Sequence, residues 1–140
     1  MSLFKKDFYV STDVAKLDIT LIHDFLSARS HWAKGRDMEV VKKSVKYSLC
    51  FGVYDSNHGQ VGFARVVTDF TVYAYILDLF IIETHRGKGL GKLLMQSIID
   101  HEELDMVKNW ALKTRGAHEL YKQFGFSQVS MPERLMERVV

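Results

Sequence analysis

The stretch LDLFIIETHRGKGLGKLLM, residues Leu77 to Met95, contains an apolar run, a glycine-rich loop and a helical pattern in immediate succession. The run before the loop, TVYAYILDLFII, is almost continuously apolar, which is typical of a central strand covered on both faces. After the loop, Leu90, Leu93, Leu94 and Ile98 recur at the spacing of one helix face. The stretch therefore predicts a buried strand, a tight loop and a helix.

The glycine-rich loop has the features of an anion site. Its glycines leave main-chain N–H groups uncovered, and the following helix adds unpaired amides and a positive dipole end. Three cations surround them: Arg86, Lys88 and Lys92. A diphosphate suits such a cradle. A dinucleotide fingerprint would need glycine where Lys92 stands, and no frame supplies a Walker Gly-Lys-Ser/Thr sequence.

The rest of the chain predicts strands and helices in mixed order. The turn SNHG favours a hairpin between two β-rich runs, and Asp18 is a candidate N-cap. Strands are predicted at DFYVST, YSLCFGVYD, QVGFARVVTD, NWALKT and FSQVS, and helices at residues 18–28, 38–47 and in AHELYKQF, which Gly125 closes. This order indicates a mixed α/β sheet.

Composition indicates an ordinary globular protein. The 140 residues fit one domain, 1–140, and the net charge of +2 does not favour nucleic acid as a partner. No apolar run is long enough to span a membrane. The single cysteine, Cys50, lies in an apolar run without a neighbour to activate it, and it fits a reducing, cytoplasmic setting.

Two motifs resemble those of one enzyme family. Arg-x-x-Gly-x-Gly after a long apolar strand resembles the signature of the GCN5-related N-acetyltransferases (GNAT), and LKTRGAHELYKQFGF resembles their later strand and helix. The resemblance covers about residues 77–126 and implies an α/β (α+β) fold with a mixed, mostly antiparallel sheet flanked by helices. In that fold two strands splay apart and form the acyl-CoA slot.

The same resemblance implies acetyl-CoA as cosubstrate. The loop would bind the pyrophosphate, the central strand's main chain would meet the thioester and pantetheine, and Thr114 would lie across the slot. The implied cofactor-binding residues are Leu79, Phe80, Ile81, Arg86, Gly87, Lys88, Gly89, Leu90, Gly91, Lys92 and Thr114.

By resemblance Tyr121 is the general acid that protonates the leaving thiolate. Its helical spacing with Ala117, Leu120 and Phe124 also fits a core stripe. Asp78 is the candidate base, or else a buried structural carboxylate bonded to amides, and ordered water is a further alternative. Polyamine-acetylating relatives carry an acid where this chain has Leu77, which disfavours a polyamine as the acceptor substrate.

The acceptor is expected near SHWAKGR and the hairpin. Trp32 offers an aromatic wall, Arg36 could grip a carboxylate, and Tyr75 could line the pocket; helix packing and ordinary surface charge are the alternatives for the first two. Gly116 stands where relatives tend to carry Asp or Asn. The six histidines lack metal-ligand spacing with a third ligand, so no metal site is predicted.

The predicted activity is direct acetyl transfer to a primary amine, favouring a small molecule over a protein tail. The alternative is a non-catalytic acyl-CoA-binding sensor or partner-binding module, and transfer of a longer acyl group is a third possibility. Relatives frequently pair, so a homodimer is a further expectation.

Overall fold

The computed structural model describes residues 4–140, with the side chains of residues 4 and 5 left aside. Its centre is a six-stranded sheet in the order β1-β2-β3-β4-β5-β6, antiparallel except for the parallel pair β5–β6. The strands are β1 Phe4–Lys5, β2 Phe8–Ser11, β3 Leu49–Asp55, β4 Gly59–Thr68, β5 Tyr73–Ile81 and β6 Asn109–Leu112. The mixed, mostly antiparallel sheet predicted from the sequence is confirmed.

Four α-helices flank the sheet: α1 Ile19–Asp24, α2 Met38–Lys46, α3 Leu90–Ile99 and α4 His118–Lys122. Short 3₁₀ turns lie at Val14–Lys16, Glu83–His85, Glu102–Leu104 and Pro132–Arg134, and a π-helical turn at Phe25–Arg29 continues α1. The Asp18 carboxylate caps α1 by accepting from the Leu21 N–H at 3.0 Å, as predicted. Among the described residues no helix is long and apolar enough to cross a membrane.

Each face of the sheet has its own apolar core. Leu90, Leu94 and Ile98 of α3 pack on one face, and Ile22 of α1 and Val41 of α2 pack on the other. The apolar stripes of the helices lie against a sheet whose central strands are buried on both sides. This arrangement explains why the run before the glycine loop does not alternate between polar and apolar residues.

A bulge in β5 exchanges which side chains face which core. The register with β4 pairs Phe63 with Phe80 but Arg65 with Leu77, so Asp78 and Leu79 together oppose Ala64. Asp78 takes the left-handed conformation, with φ 55°. As a result Ile76 belongs to the α3 core whereas Phe80, four residues later, stacks on Phe25 in the α1–α2 core.

Strands β5 and β6 pair over a short length and then separate. Their ladder runs from Tyr73 opposite Asn109 to Ile76 opposite Leu112, and β5 continues to Ile81 without β6 beside it. The splayed pair expected from the sequence is thus present, and one edge of residues 77–81 faces open space between the strands.

The predicted strand FSQVS is wrong. Phe126 is partly buried against the core and its ring meets Tyr121, but Val129 is exposed and the segment joins no described strand. Because Phe126 is the only apolar side chain of the segment that packs inward, the segment lacks the apolar face that a strand would bury against the core. Gly125 ends the preceding helix region with φ 88°, the left-handed cap that the sequence predicts.

We expect Gly62→Ala to destabilise the protein by about 1–3 kcal/mol, because the added methyl overpacks the junction of β3, β4 and β5. A Cβ there would lie 2.6 Å from Ile81 Cδ1 and 3.0 Å from the Phe80 carbonyl oxygen. The matched control is Gly116→Ala, whose Cβ would meet nothing within 4 Å. Thermal melts of both variants check the expectation, and equal midpoints would contradict it.

Candidate active site

A cleft of about 1120 Å³ opens where β5 and β6 separate. It is bounded by the turn after α1, by β5, by the start of α3, and by the segment from β6 to α4. Of the residues predicted from the sequence for a site, eleven line it: Trp32, Arg36, Tyr75, Asp78, Leu79, Phe80, Ile81, Arg86, Gly91, Thr114 and Tyr121. Residues that lie up to 89 positions apart in the chain are therefore brought together.

The glycine loop adjoins one end of the cleft, where Arg86 and Gly91 are lining residues; the other predicted loop residues do not line it: Gly87, Lys88, Gly89, Leu90 and Lys92. Gly87 and Gly89 have φ values of 79° and 78°, which only glycine adopts without strain, and Gly89 is the N-cap of α3. No side chain in the described part of the chain caps this helix, so the amides of its first turn remain available for an anion. Lys88 and Lys92 are exposed beside the loop.

Leu90 differs from the other predicted loop residues. Its side chain is 2% exposed and belongs to the core between α3 and the sheet. Only its main chain can therefore contribute to an anion site. The apolar residue in the loop pattern anchors α3, and the glycines beside it keep the backbone accessible.

The open edge of β5 forms the floor of the cleft. The carbonyl of Ile81, at the end of the strand, already accepts from Arg86 Nε at 3.0 Å. This bond holds the Arg86 side chain back against the strand end, at the junction of strand and loop. Leu79, within the bulge, precedes this bond on the open edge, whereas the main chain of Phe80 pairs with Phe63 of β4.

Thr114, on the β6 side of the cleft, has its hydroxyl engaged. Thr114 Oγ1 accepts from the Ala117 N–H at 3.1 Å, at the start of α4. This bond closes the turn that leads into α4, and Gly116 itself is exposed with open space among the described residues where a Cβ would lie. Among the described residues no side chain caps α4, whose N-cap residue is Ala117.

Tyr121 combines a buried ring with an available hydroxyl. The side chain is 9% exposed, its ring packs edge-on against Phe126, and its hydroxyl makes no hydrogen bond to a described residue. Burial raises the pKa of Tyr121, so the phenol stays protonated at neutral pH. Tyr121 therefore belongs to the core and also lines the cleft, and its role as general acid stays a prediction.

Asp78 is held by side chains and not by the backbone amides that one sequence interpretation expected. Its Oδ2 accepts from Arg36 Nη1 and Arg65 Nε, each at 2.9 Å, and its Oδ1 accepts from Trp32 Nε1 at 3.0 Å. The carboxylate is 1% exposed. The bulge turns this side chain out of the strand's regular alternation and toward the two arginines.

Arg65 is the residue that sequence reasoning missed. It lies in β4, 12% exposed, and its Nη1 also donates to Ser48 Oγ at 3.1 Å. The signal was a single arginine inside the apolar strand VGFARVV, thirteen positions before a single aspartate inside the next apolar strand. Two buried opposite charges on neighbouring strands are expected to pair.

Trp32, Arg36 and Tyr75 surround this carboxylate at the other end of the cleft. Trp32 is 42% exposed, with its indole N–H on Asp78 and its ring beside Phe25, so it is both a packing residue and an open aromatic wall. Arg36 uses one guanidinium nitrogen on Asp78, and 22% of its side chain is exposed. Desolvation raises the pKa of the half-buried Tyr75 hydroxyl.

Cys50 does not contribute a nucleophile to the cleft. The side chain is buried in the α1–α2 core, and burial raises the pKa of its thiol to about 12. Since the thiolate is the nucleophilic form, this cysteine is inert at neutral pH. The sequence interpretation of Cys50 as a small buried apolar residue agrees with its position.

Replacing Arg65 by Met is expected to cost about 3 kcal/mol of stability, since it leaves the buried Asp78 carboxylate with one guanidinium instead of two. The control is Arg29→Met, because Arg29 pairs with Asp24 and Glu83 at a surface where both acids are exposed. That variant should lose less than about 1 kcal/mol. Urea unfolding measures the free energy of unfolding of both variants. Similar losses would contradict a buried network in which the Asp78 carboxylate depends on Arg65.

Comparison with known proteins identifies the fold and the sequence family. The family profile described as an acetyltransferase (GNAT) domain matches residues 47–128. A protein of Gibberella zeae classed as an acetyltransferase is 29% identical over 108 residues, which cover 64% of this chain. The match spans 61% of that relative's length.

Solved structures agree with the profile. A Xanthomonas campestris protein classed as a GNAT acetyltransferase is 41% identical, with a TM-score of 0.91 over 95% of this chain and 93% of its own. Glucosamine-6-phosphate N-acetyltransferase from Arabidopsis thaliana is 16% identical, with a TM-score of 0.66 over 94% of this chain and 97% of its own, and shows the fold alone. The profile match over more than half of the chain places this protein in the GNAT acetyltransferase family.

Proposed function

We propose that the protein transfers an acetyl group from acetyl-CoA to a primary amine of a small molecule, by direct attack and without a covalent enzyme intermediate. The observation that carries the proposal is the separation of β5 and β6, which opens a continuous cleft from the glycine loop, past Tyr121, to Trp32 and Arg36. A donor can enter from one end and an acceptor from the other.

The residues at the loop end fit the cosubstrate. The uncapped first turn of α3 and the left-handed glycines offer main-chain N–H groups to a diphosphate, with Arg86, Lys88 and Lys92 as surrounding charge. The open edge of β5 offers main-chain partners to amides, as a sheet edge does for an added strand. Because Arg86 already occupies the Ile81 carbonyl and the main chain of Phe80 pairs with Phe63 of β4, we assign those contacts to the main chain of Leu79 and to the Ile81 N–H.

Tyr121 is assigned as the general acid. When bound, acetyl-CoA supplies a thioester whose C–S bond breaks as the amine nitrogen forms its bond to the carbonyl carbon. The departing sulfur then needs a proton; Tyr121 lines the cleft, its phenol is protonated, and its hydroxyl has no partner among the described residues. A thiol of pKa about 8.5 is a fair leaving group, so a weak acid such as a phenol suffices.

Asp78 is assigned a positioning role, and water the role of base. Both carboxylate oxygens already accept hydrogen bonds from three donors, two of them guanidinium groups, which leaves little capacity to take a proton from an ammonium. The carboxylate instead fixes the Trp32 ring and the Arg36 fork at the acceptor end. Solvent entering the open cleft can remove the amine proton.

The acceptor end favours an amine that also carries an acidic group. Asp78 is the one acid among the described residues lining the cleft, and Arg36 and Arg65 together outweigh its charge. Arg36 keeps guanidinium donors that Asp78 does not use, and these suit a carboxylate or phosphate. A polycation would meet uncompensated like charge, so polyamines are disfavoured.

Thiol release from acetyl-CoA in the presence of an amine panel tests the function. The panel should contain amino acids, amino-sugar phosphates, polyamines and a lysine peptide, and we expect turnover with an acid-bearing small amine. Coenzyme A should also raise the melting temperature, because it binds the folded state. Stabilisation without turnover on any amine would favour the non-catalytic binding module, and no stabilisation would contradict both functions.

A glycine variant tests whether the glycine loop is where coenzyme A binds. Gly89→Val places a β-branched side chain at φ 78° in the proposed diphosphate site, and we expect it to lose both thiol release and stabilisation by coenzyme A. Gly59→Val is the control, since Gly59 has φ 84° but lies in the β3–β4 hairpin. The control should melt lower and still respond to coenzyme A.

For Tyr121→Phe we expect the turnover rate to fall about 100-fold, because the phenol proton is lost while the ring's packing remains. Affinity for coenzyme A should change little. Tyr47→Phe serves as the control, since Tyr47 is 69% exposed outside the cleft. Steady-state kinetics and coenzyme A titration distinguish the two effects, and an unchanged rate for Tyr121→Phe would remove the general-acid assignment.

A further inference from the structure

We propose that Asp55, His58 and His85 form a binding site for a divalent transition-metal ion of the zinc class, outside the cleft. Asp55 is the last residue of β3, His58 lies in the hairpin turn that follows, and His85 ends the 3₁₀ turn after β5. Their potential ligand atoms all lie within 4.8 Å of one another.

The distances suit one shared ion. Asp55 Oδ2 is 2.9 Å from His58 Nδ1 and 2.9 Å from His85 Nε2. Around tetrahedral zinc, with bonds of about 2.0–2.1 Å, neighbouring donor atoms lie about 3.3 Å apart. Small side-chain rotations that move the imidazoles outward would therefore admit the ion, which would replace the two hydrogen bonds to Asp55.

The surroundings of Asp55 and His85 orient both ligands. His85 Nδ1 lies 2.9 Å from Thr84 Oγ1, which can accept its N–H when Nε2 binds a metal. The Asn57 N–H donates to Asp55 Oδ1 at 2.9 Å and leaves Oδ2 for an ion.

The donor set and the exposure indicate the class of ion. Two imidazoles and one carboxylate suit zinc, cobalt or nickel, whereas magnesium and calcium prefer oxygen ligands alone. Asp55 and His85 are mostly buried, and the His58 side chain is 68% exposed. The ion would thus have an entry path and room for a water ligand, and the His58 Nε2 proton would point to solvent.

The position of the three side chains determines which elements of the fold a bound ion would connect. His85 directly precedes Arg86 and the glycine loop, and Asp55 belongs to the β3–β4 hairpin, thirty residues earlier in the chain. An ion bound to both would tie the hairpin to the base of that loop. We expect metal to stabilise the folded protein in proportion to its occupancy.

Cobalt(II) titration of untagged, EDTA-treated protein tests the site. Wild-type protein should bind one equivalent, with visible absorption bands of a nitrogen- and oxygen-ligated ion that zinc abolishes, and zinc should raise the melting temperature. His58→Ala and Asp55→Asn should each weaken binding at least about tenfold. Asp55→Asn keeps the size of the side chain, so it distinguishes lost ligation from lost packing.

His118→Ala is the control, because His118 is an exposed histidine on α4 away from the cluster. It should bind cobalt like wild type. The proposal is overturned if wild-type protein shows no such bands, if His58→Ala binds as tightly as wild type, or if His118→Ala weakens binding equally. In those cases the three side chains form a hydrogen-bonded clamp or the ion binds elsewhere.

Discussion

Asp78 and Leu79 of β5 lie opposite the single residue Ala64 of β4, and the site depends on this mismatch in the ladder. The extra residue bends β5 and gives Asp78 its left-handed backbone, which a non-glycine residue adopts only when its surroundings hold it there. Beyond the bulge β5 has lost β6, and its free edge becomes the floor of the cleft. The same bulge turns the Asp78 carboxylate toward Trp32 and Arg36.

The buried charges around Asp78 hold this geometry in place. A desolvated carboxylate is costly without partners, and Arg65 from β4 and Arg36 from the loop before α2 supply them. Trp32 completes the set through its indole N–H. One interaction network thus joins the bulge to the segment that forms the acceptor end, and a change in the sheet would be felt where the amine is expected to bind.

The two ends of the cleft present different kinds of groups to a ligand. The loop end relies on main chain: glycines at positive φ, an uncapped helix start and an open strand edge, with Leu90 buried beneath as the anchor. The other end relies on side chains, with the buried Asp78 carboxylate holding Trp32 and Arg36 in place. The Asp55, His58 and His85 cluster lies at the base of the loop, where a bound ion would act on the main-chain end.

Local pattern in the sequence determined the strand, loop and helix of residues 77–95, the Asp18 cap, the Gly125 cap and the hairpin, because propensity and periodicity act over short distances. It also indicated eleven residues that line the cleft, largely through family motifs. Only the tertiary structure decided the pairing of Arg65 with Asp78, the exposure of the FSQVS segment and the meeting of His85 with Asp55. These depend on sheet register and on contacts between residues distant in the chain, which no local spacing encodes.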